Sequence, residues 1–250
     1  MNVLEICRLS KTYPAFRLKE VSFSVPQGAV MGFIGRNGAG KSTTLKSILG
    51  LVHPDGGEVR FFGKSFAENE RHIKENVGVV LGGIDFYPKK KVKTITGVTR
   101  RFYPTWNEEK YRHYLQLFAI DEEKWVDQLS DGMKVKYLIA MALSHDAQLP
   151  ILDEPTSGLD PVSRDDLTAL FRALVADGTR SILFSTHITS DLDKCATHIT
   201  YIRDGEILCS GEKDAFIAAF DHLRQGGERL TLEDIMVRTE RRDYDESAFK

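Results

Sequence analysis

Cysteine is scarce in this chain of 250 residues: Cys7, Cys195 and Cys209 are the whole complement. The number is odd, the positions are scattered, and no pair has the spacing of metal ligands. That pattern excludes a cysteine-built metal site and suits reduced thiols in a cytosol. Long hydrophobic runs are missing too. No apolar stretch approaches the roughly 20 residues that span a bilayer, so a membrane role has to come through a partner. No secretory signal is read at the N-terminus. An excess of one charge is absent: 34 Lys and Arg stand against 36 Asp and Glu, a net charge of −2. Nothing global therefore points to nucleic acid. No internal repeat or low-complexity tract occurs, which excludes a tandem pair of like modules. The composition is otherwise that of a globular protein, with 42% hydrophobic residues for a sizeable core. The length suits one elaborated domain or two small ones.

Residues Gly35–Ser42 read GRNGAGKS. They fit G-x-x-x-x-G-K-[ST], the phosphate-binding loop of nucleotide-hydrolysing proteins. The flanks agree. Val30-Met31-Gly32-Phe33-Ile34 suits a buried strand, and Thr43–Leu49 suits a helix closed by Gly50. Glycines let the backbone bend around a triphosphate and turn N–H groups inward as an anion nest. The helix that follows adds its positive end. We expect Gly35, Asn37, Gly38, Ala39, Gly40, Lys41, Ser42 and Thr43 to contact ATP. In such a loop Lys41 reaches the β- and γ-phosphates, and the Ser42 hydroxyl binds Mg²⁺.

Elsewhere, strands and helices alternate. Residues 1–30 alternate apolar and polar side chains and predict strands. Pro26-Gln27-Gly28 and His53–Gly57 predict turns. Glu58–Phe62, Val77–Leu81, Leu149–Leu152 and Ser181–Ser185 predict further strands. Residues 85–147 are expected to be mostly helical, with Trp106–Phe118 as an amphipathic helix. This order predicts a parallel α/β sheet around the phosphate loop with a helical insertion.

A second centre follows the strand Leu149–Leu152. Asp153 and Glu154 end it, and Pro155-Thr156-Ser157-Gly158-Leu159-Asp160 come next. One acid at the end of a neighbouring strand holds Mg²⁺ in phosphate-loop proteins. Asp153 is assigned that role, directly or through a water. Glu154 is placed to polarise the attacking water as general base.

With these motifs the sequence resembles the ATPase subunit of ATP-binding cassette (ABC) transporters, over about residues 1–220. GRNGAGKS, DEPTSGLD (Asp153–Asp160) and STH (Ser185–His187) stand in the family's order. LSDGM (Leu129–Met133) stands where the family has its LSGGQ signature. The resemblance implies a phosphate-loop NTPase core with a mixed or parallel sheet, an N-terminal antiparallel β subdomain, and a helical subdomain inserted at 85–147. Residues 221–250 would form a short helical extension and a charged tail. Thr231 and Asp234 predict a capping box there, and the final RRDYDESAFK is expected to fray.

The resemblance also implies a head-to-tail dimer that sandwiches ATP, as a homodimer or a heterodimer. Each site would use the phosphate loop of one subunit and the signature of the other. Ser130 and Gly132 are then the candidate contacts to the partner's γ-phosphate. Ser130 also reads as the N-cap of a helix through Val135, Leu138, Ile139, Ala142 and Leu143. Tyr13 matches the aromatic that stacks on adenine, with Phe16 as the alternative. His187 matches the histidine that bonds the γ-phosphate. Asp160 matches the aspartate at the dimer interface, or caps the helix after Pro161.

Two departures bear on hydrolysis. Gly82 stands where the family carries a Gln, so that side chain is missing; water or a nearby acid such as Asp85 would replace it, or hydrolysis is weaker. Segment Gly82–Pro88 is the expected contact with the membrane partner. Asp131 and Met133 replace a Gly and the Gln of the signature. An acid in the first helical turn suits the helix dipole but opposes a nearby phosphate, so Asp131 is expected to point away.

A single cassette without a membrane span implies a separate multi-span permease subunit, with this chain peripheral on the cytoplasmic face of the membrane. FYPTW (Phe102–Trp106) is similar to bacterial exporter ATPases of the bacitracin-resistance and YtrB-like type. The competing reading is a soluble ABC ATPase acting on ribosomes or nucleic acid. A phosphotransferase is a third, opposed by LSDGM and STH.

Overall fold

Alternation in residues 1–30 becomes an antiparallel hairpin in the computed structural model, which describes residues 1–81, 87–224, 226 and 229–240. Strands β1 (Asn2–Tyr13) and β2 (Phe16–Pro26) pair from Asn2 opposite Pro26 to Tyr13 opposite Phe16. Strand β3 (Val30–Ile34) is buried at every position and leads through the glycine loop into helix α1 (Lys41–Ile48). Gly50 closes that helix, its N–H donating to Ser47 O at 3.2 Å. Strand β4 (Gly56–Phe61) returns beside β1, followed by the two-residue β5 (Lys64–Ser65). Together they form a four-stranded sheet of order β2-β1-β4-β5. Helix α2 (Phe66–Asn76) is broken at Asn69 and runs into β6 (Val77–Val80).

Helices α3 (Val92–Thr99), α4 (Glu108–Leu117) and α5 (Asp131–Leu143) come next. The amphipathic helix expected from Trp106 starts at Glu108 instead. Asn107 caps it, its Oδ1 accepting from Lys110 N at 2.9 Å, and a cap residue stands outside the helical backbone. The three helices meet at buried hydroxyls: Thr96 Oγ1 lies 2.7 Å from Tyr111 OH and 2.9 Å from Tyr137 OH.

The chain then alternates: β7 (Leu149–Asp153), α6 (Pro161–Val175), β8 (Ile182–Thr186), α7 (Thr189–Cys195), β9 (His198–Arg203), β10 (Glu206–Glu212), α8 (Lys213–Ala219) and α9 (Leu232–Glu240). At the start of α9, Thr231 N donates to Asp234 Oδ2 (3.0 Å) and Asp234 N to Thr231 Oγ1 (3.1 Å), the reciprocal pair of a capping box. Gly82, Asp85 and the tail RRDYDESAFK lie outside the described residues.

The second sheet has six strands in the order β10-β9-β3-β8-β7-β6, parallel except for β10. Strands β3, β7 and β8 are buried at every position, so they read as near-continuous apolar runs. Successive residues still part by face. Val30, Ile34, Leu152, Ile182 and Phe184 join a core with the later helices. Met31, Phe33, Ile151 and Leu183 join a second core with α1 and the antiparallel sheet. Each such side chain contributes ~1.5–3 kcal/mol on burial. Because β3, β8 and β7 are parallel neighbours, their C-terminal ends share one edge. Ile34 stands level with Thr186, and Asp153 with Ser185. That edge is where open α/β sheets bind ligands.

Candidate functional site

The loop after β3 closes on its own lysine. Lys41 is 5% exposed, and its Nζ donates to Gly35 O at 2.7 Å and to Arg36 O at 3.3 Å. Ala39 N donates to Arg36 O (3.1 Å), and Ala39 O accepts from Gly205 N (3.0 Å), fixing the loop to the β9–β10 turn. Gly40 has φ +116°, and a Cβ there would stand 2.8 Å from both Leu18 Cδ2 and Phe16 Cζ. Only glycine fits that position. The cleft beside the loop holds about 580 Å³. It is lined by Tyr13 and Phe16, by Arg36, Asn37, Lys41, Ser42 and Thr43, and by Glu154. Tyr13 sits at the rim, 39% exposed, with Lys11 Nζ 5.7 Å above its ring.

Asp153 and Glu154 diverge at the end of β7. Asp153 is buried, and its Oδ1 accepts from the Ser185 hydroxyl. Ser185 Oγ in turn accepts from Glu154 N at 3.1 Å, as does the Ser185 carbonyl. Glu154 has φ +51°, an uncommon conformation for a residue with a side chain. The turn aims its carboxylate across the sheet edge. Oε1 lies 3.5 Å from Lys41 Nζ, and Oε2 lies 2.9 Å from His187 Nδ1. Loop lysine, strand-end carboxylate and strand-end histidine thus form one chain of contacts, although 113 and 33 positions separate them from Glu154 in sequence.

The LSDGM segment stands apart from this cleft. Ser130 caps α5, its Oγ accepting from Met133 N at 3.3 Å. A Cβ on Gly132 would meet Leu159 Cδ2 at 2.9 Å, so the segment packs against the loop after Glu154. The Asp131 side chain is 91% exposed and pairs with Lys134 Nζ at 3.0 Å, along the helix flank. Asp160 Oδ1 accepts from Val162 N and Ser163 N, both at 3.0 Å, as the N-cap of α6. The Ser163 hydroxyl, followed by these backbone N–H groups, holds the Asp160 carboxyl below its ordinary pKa. Ser130, Gly132 and Asp160 do not line the cleft, and neither do Asp153 and His187, which adjoin it through Ser185 and Glu154.

Two residues given no role from the sequence stand out. Ser185 links both acids; the STH string was its signal, but the link needs the register of β7 on β8. Arg36 lines the cleft as an x position of the loop motif, where the pattern carries no information.

The sequence model of the ABC transporter family matches residues 18–157. The chain belongs to the ABC transporter family. It is similar to the bacitracin transport ATP-binding protein BcrA of Bacillus licheniformis, 30% identical over 227 residues, which are 90% of this chain and 72% of that protein. The ABC transporter ATP-binding protein YtrB of Bacillus subtilis (strain 168) is 30% identical over 206 residues, 82% of this chain and 70% of that protein. A solved ATP-binding subunit of an ABC transporter superposes with a TM-score of 0.83 at 27% identity, over 96% of this chain and 100% of that one. The protein is accordingly an ATP-binding and ATP-hydrolysing subunit of an ABC transporter. Subunits of this kind dimerise and work with transmembrane permease subunits. Among the described residues no helix is long and apolar enough to cross a membrane.

Proposed function

We propose that this subunit drives a membrane exporter, with Glu154 as the group that activates water for ATP hydrolysis. The position of Glu154 between Lys41 and His187 carries the assignment of the base, and the likeness to transporter ATP-binding proteins supports the coupling to a membrane partner. The residues fit a triphosphate with a divalent cation. The loop excludes side chains at Gly40 and holds a buried ammonium, the Ser42 hydroxyl is exposed at the cleft, and Asp153 is a carboxylate fixed at the adjoining strand end. Ser42 and Asp153 would hold Mg²⁺. When bound, the ion neutralises charge on the phosphate oxygens.

The chain's own groups then divide the work. Gly35, Asn37, Gly38, Ala39, Gly40 and Thr43 cradle the phosphates, and Lys41 offsets their charge. Tyr13 stacks on adenine at the cleft rim. Glu154 accepts a proton from water, which is general-base catalysis. With Nδ1 engaged by Glu154, Nε2 of His187 is the nitrogen left for the γ-phosphate. Ser130 and Gly132 complete the site of a second subunit in a head-to-tail dimer, and Asp160 lies at that interface. Asp131, turned to Lys134, keeps its charge off the partner's phosphate.

Residues 1–220 act as the ATPase domain, with the helices of 85–147 as its inserted part and 221–250 as an extension. The coupled partner is a multi-span permease that holds the subunit at the cytoplasmic face of the membrane. The test is the ATPase rate with and without the permease that co-purifies with this chain. The expected result is a higher rate with the permease present. Association with ribosomes or DNA and with no membrane protein would overturn the exporter reading.

A further inference from the structure

Helix α9 ends against the phosphate loop. Its last residue, Glu240, has a side chain only 15% exposed. Oε1 of Glu240 accepts from Tyr201 OH at 2.8 Å, and Oε2 lies 3.7 Å from Nη1 of Arg36. Arg203 Nη1 donates to Thr239 O at 3.2 Å, fixing the same turn of α9 to β9. Leu232 and Ile235 are fully buried and seat the helix. Tyr201 is buried, and desolvation, followed by the bond to Glu240, raises its pKa beyond the range where it ionises, so it stays a donor. The Glu240 carboxylate is therefore fixed from the protein side, whereas the Arg36 side chain is 54% exposed. Arg36 is the second residue of GRNGAGKS and lines the nucleotide cleft.

We propose that α9 is a built-in brake on nucleotide binding, in which Glu240 tethers Arg36 at the edge of the cleft. The inference rests on the loop being the ATP site. A guanidinium at that edge is attracted to a triphosphate, and a fixed carboxylate competes for it. Glu240 is the positioning residue here, and it acts through Arg36. The strength of a half-exposed ion pair sets the size of the effect at about 2- to 5-fold in affinity.

The test is equilibrium ATP binding by the full chain in Glu240→Gln, Arg36→Gln, the double variant and Tyr201→Phe, with Lys41→Ala as control. Glu240→Gln is expected to tighten ATP by about 2- to 5-fold, and to give a smaller gain when Arg36 is already Gln. Tyr201→Phe removes the bond that fixes the Glu240 carboxylate and is expected to tighten ATP by no more than Glu240→Gln does. Unchanged or weaker binding by Glu240→Gln overturns the brake. So does an equal gain with and without Arg36, which would assign the effect to general loosening of α9. A wild-type chain that binds no ATP overturns the site reading as well. Normal wild-type binding that is lost in Lys41→Ala leaves only the brake in question.

Discussion

Glu154 adopts φ +51° because two acceptors on Ser185 hold its N–H, and that turn delivers its carboxylate to Lys41 and His187. Its neighbour Asp153 is held back by the same serine. Two adjacent acids thereby receive different environments. Much of this was legible in the sequence: Lys41, Ser42, Asp153, Glu154 and His187 all belong to short motifs. Ser185 stands inside such a motif, but its bonds cross from β8 to β7, which no local pattern shows. Arg36 was silent for a similar reason, since Glu240 lies 204 positions away. Lys41→Ala is expected to abolish tight ATP binding. The buried ammonium is a fixed countercharge, and charge-assisted contacts are roughly twice as strong as neutral ones. A titration with ATP checks this, and wild-type affinity would remove Lys41 from its role.

Helices α6 and α7 are locked by a buried ion pair that no motif announces. Arg164 Nη2 lies 2.6 Å from Asp191 Oδ1, with the Asp191 side chain 2% exposed and that of Arg164 24% exposed. Asp191 stands four residues after His187, so the pair fixes the element that follows the histidine. Arg164→Ala leaves a buried carboxylate without its cation and is expected to cost ~3 kcal/mol in chemical denaturation. The double change Arg164→Met with Asp191→Leu is expected to cost less, because both charges leave together. Element type was readable from apolar runs and glycine punctuation: the strand Val30–Ile34 matches in full. Boundaries moved where a cap intervened, as at Asn107, or where a strand carried one residue further, as at Asp153. The break at Asn69 had no sequence signal. Its amide bonds the Ser65 carbonyl at 3.1 Å, a local competition that Asn side chains offer in helices.

At the scale of the molecule, the site depends on sheet order. Placing β8 between β3 and β7 puts His187 beside both the loop and the acids. Local sequence predicted a parallel sheet but carried no information on that order, which arises from pairing between distant segments. The same holds for the two groups of motif residues. The loop, Glu154 and His187 connect within the chain, while Gly132 packs on the loop after Glu154 and neither it nor Ser130 lines the cleft. A site that needs both groups must draw the second from another subunit. Glu154→Gln keeps the shape of the side chain and removes the base, so hydrolysis is expected to fall by about 100-fold or more. Bound ATP would then hold two chains together. The decisive measurement is the solution mass of Glu154→Gln with and without ATP. The expected result is an ATP-dependent dimer that retains its nucleotide, and a monomer without ATP. A chain that stays monomeric at saturating ATP and turns it over at the wild-type rate would contradict it.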